Sequence, residues 1–538
     1  MRVDRLASVA IIAATSFTAI TIGEGQAQSA GGSEAEIALL KQQLRLLEQK
    51  LDKLEKQTAN TKAEAKAEAR SEAKAAVASA NAAIPVKGPV APSGVVVTMP
   101  NNRPTICTAD EQNCVAITSR LHWDVGGYAY RPNTAATVPQ KLDSGENVRR
   151  ARIGVVGKFL SDWNFALVYD FGGSSDGFGG TAAVGPAPGT PVGFLPGGGT
   201  SGVENAYLSY QGIKPFGGKL AIEGGIFDLP WTLDNAMSSN DILFMERASS
   251  NVIATSIAAG DFRSAAGVRW WNDVLWAGAY VTGPTTGQIH SASSITPNGA
   301  TEQYGAVARV AGQVISGNGY SFHLGANAEW LIQPPRNLVT NAQTLSLSDR
   351  PELRIDPTTL ISTGAIANAS GAQVYGVEVA GTYGPLFLQG EYYWFNVDRS
   401  ANTGLPPFGA PSLNFQGGYA EAAYVLTGET RPYSAASGAY GGIKPAYPFS
   451  LSGGGWGALE IAGRVSMMDL NDQLWTTTGI AGGRQTVYTA GLNWYPTSNV
   501  RFMLNYLHGD ISRQASATSA ANVGSRFDAV AMRTQFAF

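Results

Sequence analysis

Ten cations stand where charge could be put to use: Arg120, Arg150, Arg152, Lys158, Arg263, Arg269, Arg309, Arg464, Arg501 and Arg533. Each falls on the polar side of a stretch in which polar and apolar residues alternate. A guanidinium holds carboxylate or phosphate oxygens in a planar fork without giving up its charge. A row of them therefore suits attracting anions rather than making or breaking bonds. A second reading stands beside it. Asp124, Asp170, Glu204, Glu329, Glu421 and Glu460 share the same polar side and could neutralise the arginines one by one. A further charged group, Asp234, Asp241, Glu246 and Arg247, is confined to Leu229 to Gly260. Chemistry of other kinds finds little support. His122, His290, His323 and His508 are scattered without metal-ligand spacing, and no nucleophile–base motif, phosphate-binding Gly loop or nucleic-acid motif occurs. The chain reads as neither an enzyme nor a cofactor protein.

The elements that position these cations are strands. In NVRRARIGVVGKFLSDWNFALVYDFG (Asn147 to Gly172), Ala151, Ile153, Val155 and Phe159 alternate with Arg150, Arg152 and Lys158. After a Ser161-Asp162 turn, Trp163, Phe165, Leu167, Tyr169 and Phe171 form a second apolar row. Strand side chains alternate with period two, so this is a hairpin with one greasy and one charged face. About sixteen such stretches run from 117–130 to 528–538. Tyr320, Phe322, Leu324, Ala326 and Trp330, for example, oppose Ser321, His323, Asn327 and Glu329. Short links alternate with Gly/Pro/Ser/Thr-rich stretches at 173–202, 284–300, 332–371, 399–414 and 428–455, as though turns lay on one rim and loops on the other. A soluble β-sandwich would bury the greasy face in a core. An even strand number, 44% hydrophobic residues and 51 aromatics (11 Trp, 20 Tyr, 20 Phe) fit a transmembrane barrel better. No segment after the leader approaches the roughly 20 apolar residues of a spanning helix.

The ends agree with export. Residues 1–27 carry Arg2 and Arg5, an apolar run from Leu6 to Ile22 and small residues before Ala27, the pattern of a secretory signal peptide. Between 34 and 58, Ile37, Leu40, Leu44, Leu47, Leu51 and Leu54 recur at intervals of three and four. This predicts a coiled-coil seam within a helical segment over 34–83. Either the helix self-associates, a trimer matching a trimeric barrel, or it lies alone against its own barrel. A Pro-rich linker follows over 84–116. It contains Cys107 and Cys114, the only two cysteines, which in an exported chain predict a disulfide. The last stretch, DAVAMRTQFAF, alternates Val530, Met532, Phe536 and Phe538 with Arg533 and Gln535. It resembles the terminal strand, ending in Phe538, that outer-membrane assembly machinery reads.

Several motifs, in order, resemble the phosphate-selective porin O and P family: NVRRARIGVVGKF with DWNFALVYDF, NDILFMERA (240–248), TGETRPY (427–433), GALEIAGRVSMMDLND (457–472), AGLNWYPTSNVRFMLNYLH (490–508) and the terminal AMRTQFAF. The resemblance spans about 117–538. It implies a sixteen-stranded trimeric outer-membrane barrel, a third loop folded into the pore, and arginines lining the route.

On that layout Leu229 to Gly260 forms the constriction between strands five and six, because it is too apolar and compact for an external loop. The chain nevertheless departs from a dedicated phosphate pore. From residue 117 onward, 5 Lys and 20 Arg face 29 Asp plus Glu, and Leu229 to Gly260 holds no lysine. A phosphate site would offer several cations at its narrowest point, since each dehydrated oxygen needs a donor. The expectation is an all-β transmembrane barrel with an N-terminal coiled coil in the periplasm. It passes small hydrophilic solutes or ions by passive diffusion, with an anion preference open to test. The alternative is a structural anchor tethering the envelope through its coiled coil. Expected partners are membrane lipid and lipopolysaccharide, two further copies in a homotrimer, the assembly machinery, and small inorganic ions or solutes.

Overall fold

The computed structural model describes Gln49 and residues 94–133, 141–172, 202–260, 263–285, 301–400 and 410–538. The signal peptide expected at 1–27 and, Gln49 apart, the helical segment expected at 34–83 lie outside them. Period-two alternation becomes sixteen long strands: β1 Cys114–Pro132, β2 Gly145–Phe159, β3 Trp163–Asp170, β4 Gly202–Ile213, β5 Lys219–Phe227, β6 Arg263–Trp271, β7 Leu275–Thr285 and β8 Tyr304–Gly317. There follow β9 Tyr320–Gln333, β10 Ala369–Tyr383, β11 Leu386–Arg399, β12 Leu413–Val425, β13 Ala458–Asp472, β14 Ile480–Thr497, β15 Val500–Ser512 and β16 Ser525–Ala537. Each pairs antiparallel with its chain neighbours, and β16 pairs with β1 in the register Arg533↔Asp124, so the sheet closes into a barrel. Closure removes every barrel edge, the condition for a sheet in lipid. Mutual backbone hydrogen bonds between Ser119 and Phe538 (3.0 and 3.1 Å) finish the seam.

The outward row is the greasy one. Ile153 is 54% exposed and Leu167 56%, while Arg152 between the same strands is buried. Such exposure is unfavourable against water but neutral against lipid tails. Aromatic pairs mark both edges of this outer band. Phe159 stacks on Trp163 (centroids 5.9 Å) and Trp494 on Phe502 (5.4 Å) near one rim. Tyr392 meets Trp394 (4.9 Å) and Trp330 meets Tyr375 (6.2 Å) near the other. These are the girdles of a membrane barrel.

Residues 95–116 of the linker are more ordered than its prolines suggest. Val95–Thr98 pairs with Thr105–Thr108, which pairs with Cys114–Ala116 of β1. Cys107 and Cys114, opposite each other in that register, are joined by a disulfide.

One rim carries the short turns at 160–162, 214–218, 272–274, 318–319, 384–385 and 498–499, and we call it the turn rim. The segment 426–457 corrects the sequence reading. Chain order puts it between β12 and β13, on the turn rim, whereas composition groups 428–455 with the long loops of the opposite rim. It folds upward into the barrel through a small hairpin, Tyr433–Ser434 with Ala439–Tyr440. Residues 228–260 and 334–368 fold inward from the loop rim, bringing Leu229, Trp231, Leu233, Leu347, Leu353 and Ile361 to near-complete burial. The hydrophobic core of this protein is therefore inside the lumen.

Candidate functional site: the lumenal constriction

The inward segment 228–260 contains two helices, α1 Leu233–Ala236 and α2 Ser249–Ser256. Their ends have the orphan backbone groups of any helix, and side chains of the wall and of the inward segments satisfy them. Thr232 Oγ1 accepts from Asn235 N (3.0 Å), and the Glu391 carboxylate accepts from the amides of Leu233 (2.8 Å) and Asp234 (3.2 Å). Glu352 accepts from Ser249 N (2.9 Å), and Glu329 from Ala258 N. Trp231 Nε1 donates to Ala328 O (2.8 Å), and Asn251 Nδ2 to the Tyr393 hydroxyl (2.9 Å). At Gly491 a Cβ would meet the Phe244 ring at 3.1 Å, tighter than an ordinary contact, so glycine lets the segment seat closely against the wall there.

Glu246 is the main electrostatic tie. Arg149 donates Nε and Nη2 to its two oxygens (2.8 and 3.1 Å), and Arg533 Nη2 adds a third bond (2.7 Å) while pairing with Asp124 (2.6 and 2.7 Å). Burial alone would raise the Glu246 pKa, but Arg149, Arg533 and Arg150 outweigh it and hold the carboxyl well below its usual range. Asp234 and Asp241 shift the other way. Burial raises both above the ordinary carboxylate range, despite Arg247 beside Asp234 and Arg431 and Arg501 near Asp241.

Arg149 was missed by parity, which places it with Ala151 on the lipid side. In the barrel His122 pairs with Arg150 and Trp123 with Val148, leaving Arg149 as the extra residue of a β-bulge. Both arginines are buried in the lumen. A second bulge in β4 pairs Val168 with Asn205 and Tyr169 with Val203, so Glu204 and Asn205 are both brought to the constriction. A signal was present. An arginine facing lipid near the bilayer midplane costs about 2–4 kcal/mol, so two adjacent arginines within a spanning strand argue for a bulge.

The ten cations separate into groups. Five hold the inward segments. Arg533 is tied to Asp124 and Glu246. Arg464 donates to Glu352 (2.8 Å) and Glu246 O (2.9 Å). Arg501 donates to the carbonyls of Asn240, Ile242 and Leu243 (2.8–3.2 Å), and Arg263 to those of Ser256, Ala259 and Gly283. Arg309 binds Glu378 and the carbonyls of Ser437 (3.1 Å) and Gly438 (2.7 Å). Four line open space: Arg120, Arg150, Arg152 and Arg269. Lys158, opposite Cys114 at the turn rim, lines neither cavity described below. In the constriction segment, Arg247 pairs with Asp234 (3.4 Å), Asp241 accepts from Gly442 N, and Glu246 binds the wall.

The open space lies between the segment and two stretches of wall, β1–β6 for one cavity and β14–β16 with β1 for the other. A cavity of about 310 Å³ borders Arg120, Arg150, Arg152, Arg247 and Arg269 as well as Glu204, Glu223 and Asp228. A second, of about 500 Å³ toward the turn rim, borders Arg103, Arg120, Lys444, Arg501 and Asp241. Both share Arg120 and Ser238. Arg152 pairs with Asp170 (2.8 Å) and Glu204, and Arg269 with Glu223 (3.0 Å). Arg120 has hydroxyl partners, Ser239 (2.5 Å) and Ser238 (3.0 Å), and Arg150 has the His122 ring (3.4 Å). Among the described residues neither has a carboxylate within ion-pair distance.

Sequence reading placed 332–371 and 428–455 outside the barrel and so missed Glu352, Arg354 and Arg431. Arg354 pairs with Asp349 (2.8 Å) beside Glu246, and Arg431 with Glu460 (2.8 Å). Tyr433 meets His323 Nδ1 (3.0 Å) and Tyr440 meets Ser321 (2.8 Å), seating the turn-rim segment against β9.

A closed sixteen-stranded barrel, greasy outside and charged within, with inward segments narrowing its lumen, is the architecture of a membrane channel. The profile of the phosphate-selective porin O and P family matches residues 115–538, and the chain belongs to that family of outer-membrane porins. It is 23% identical to Porin O of Pseudomonas aeruginosa over 426 residues, covering 75% of this chain and 84% of that one. A protein of Caulobacter vibrioides, itself uncharacterized, is 38% identical over 186 residues. That match spans 34% of this chain and only 33% of the relative's length. Among solved structures, OmpT of Vibrio cholerae aligns with a TM-score of 0.42 at 13% identity, covering 79% of this chain and 98% of that one. An anion-selective porin from Comamonas acidovorans aligns with a TM-score of 0.39 at 13% identity, covering 79% and 99%.

Proposed function

We propose that this porin passes small hydrophilic solutes by passive diffusion and prefers anions, along a route through the two cavities that meet at Arg120. The observation that carries this reading is that, among the described residues, Arg120 and Arg150 have no carboxylate within ion-pair distance, while the other cations of the smaller cavity are paired. A fixed charge that is not neutralised locally sets the field across a narrow passage. The segment 228–260 acts as the filter, with Asp234, Asp241, Glu246 and Arg247 holding its shape. The turn rim faces the periplasm, the compartment of the N-terminal segment 34–83, the protein works as a homotrimer, and Phe538 addresses the chain to the assembly machinery. Lipid and lipopolysaccharide cover the outer band. A pure envelope anchor would have no use for a lumen with uncompensated arginines, so the channel reading is preferred.

The test is single-channel current in a planar bilayer under a salt gradient. A reversal potential of anion-selective sign, moved toward cations by Arg120→Ala and Arg150→Ala, is the expected result. A cation-selective sign in the unmodified protein overturns the anion preference, and folded protein without conductance overturns the channel.

A further inference from the structure

We propose, resting on the channel reading above, that the smaller cavity selects a polyhydroxy carboxylate, an organic acid with one carboxylate and a hydroxylated carbon frame. The cavity is graded along the wall. At one end stand Arg120 and Arg150, whose buried Nε atoms have no hydrogen-bond partner. Next to them, on the inward face of β4, are the Asn205 amide and the Tyr207 hydroxyl. Both are half-buried at the cavity, and neither has a hydrogen-bond partner among the described residues. The Tyr207 ring lies 5.3 Å from that of Phe227 and makes an aromatic wall. Glu223 stands beyond, bound to Arg269 and to the Tyr280 hydroxyl (2.9 Å).

An inorganic anion uses little of this. Stripped of water, it needs donors on all sides, and a ring face and a carboxylate oppose it. A single carboxylate, by contrast, matches the two uncompensated guanidinium forks. Hydroxyls along its chain match an amide that both donates and accepts and a phenol that does the same. The C–H side of the frame matches the Tyr207 and Phe227 rings. About 310 Å³ is at the lower end of the roughly 300–1,000 Å³ typical of small-molecule sites, larger than a lone ion requires. Asn205 and Tyr207 face inward together by the ordinary alternation of β4, while the bulge beside them turns Glu204 inward as well, to pair with Arg152.

The experiment uses the full-length protein in planar bilayers and measures block of chloride current by sodium gluconate, glucose and sodium phosphate. Gluconate is expected to half-block at a concentration about tenfold below either of the others, the effect of one or two added hydrogen bonds. The double variant Asn205→Leu with Tyr207→Phe, checked for folding by heat-modifiable mobility, is expected to raise the gluconate half-block several-fold and leave phosphate unchanged. Phosphate blocking more tightly than gluconate overturns the proposal, as does a folded double variant with unaltered gluconate block. Either result comes from a conducting pore and so leaves the channel itself standing. Absence of chloride current from folded protein overturns the channel and this inference together.

Discussion

The lumen has two halves built from the same residue type with opposite consequences. Toward β8–β13, Arg309 and Arg464 are buried against carboxylates or loop carbonyls and close that side, as Arg533 does where it binds Asp124 and Glu246; Arg501 holds loop carbonyls at the edge of the larger cavity. Toward β1–β6 the inward segment leaves a gap, and Arg120 and Arg150 border it with no carboxylate in contact. An arginine row seen in sequence is therefore not yet a permeation path. What decides is whether each guanidinium meets a partner, because a compensated charge fixes structure and an uncompensated one sets a field.

The contrast is broken most strongly at Glu246. Replacing it with Ala takes the Glu246 carboxylate away from Arg149 and from Arg533, which keeps Asp124. Removing one partner of a buried ion pair costs about 3–5 kcal/mol. The expected outcome is a large fall in the thermal unfolding midpoint, followed by heat-modifiable mobility, with a wider and noisier channel in the molecules that fold. Unchanged stability and an unchanged conductance would show that the sealed half does not depend on this tie.

The turn-rim segment gives the next effect. Arg269, Arg309 and Trp276 hold carbonyls of 436–438, so the segment spans from the sealed side to the open cavity. Replacing 432–442 with a short Gly/Ser linker should raise single-channel conductance without changing the sign of selectivity, since it removes no cation of the open arc. A reversed sign would move the filter from segment 228–260 to this one.

Arg150→Ala sharpens the comparison from the other side. Among the described residues Arg150 hydrogen-bonds only the His122 ring, and Glu246, which feels its charge, keeps its direct bonds to Arg149 and Arg533, so removing Arg150 leaves no buried carboxylate uncompensated. Stability should stay within about 0.5 kcal/mol or rise, while the reversal potential moves toward cations. Arg464→Ala should do the reverse: Glu352 and Glu421 lose a buried cation and the barrel weakens. If the two variants lose stability equally, the division between sealing and path arginines fails.

Much of this was legible from the chain because lipid enforces a simple rule. Ile153 must face out and Arg152 in, and with the rule applied along the chain all sixteen strands and the inward-folding stretch 229–260 can be placed. What escaped did so for two reasons. Alternation assumes an unbroken pleat, and a bulge adds one residue and reverses parity locally, which hid Arg149. Loop composition, moreover, does not say which way a loop folds. The segment 428–455 is rich in Gly, Ser and Pro like the others, yet Arg431 reaches Glu460 and draws it inward. That pairing joins residues from a loop and a strand, and no local pattern announces it. The ion partners of the ten cations were equally hidden, since they depend on which strands and loops become neighbours.

The smallest expected effect is on pH. Burial raises the Asp241 carboxyl above its ordinary range, and it borders the larger cavity near Arg120 and Arg501. A raised pKa means that, as pH falls from neutrality, Asp241 takes up its proton before exposed carboxylates do. The arginines keep their charge throughout. The route then loses a negative charge and no positive one, so anion preference should increase modestly on acidification, starting above the pH at which ordinary carboxylates titrate. Asp241→Asn removes the titrating group and should show the higher anion preference already at neutral pH, with a flatter profile below it. Reversal potentials measured across the acidic range for both proteins test this. Identical profiles would assign the pH response to other carboxylates and leave Asp241 to its bond with Gly442 N, which ties segment 228–260 to the turn-rim segment.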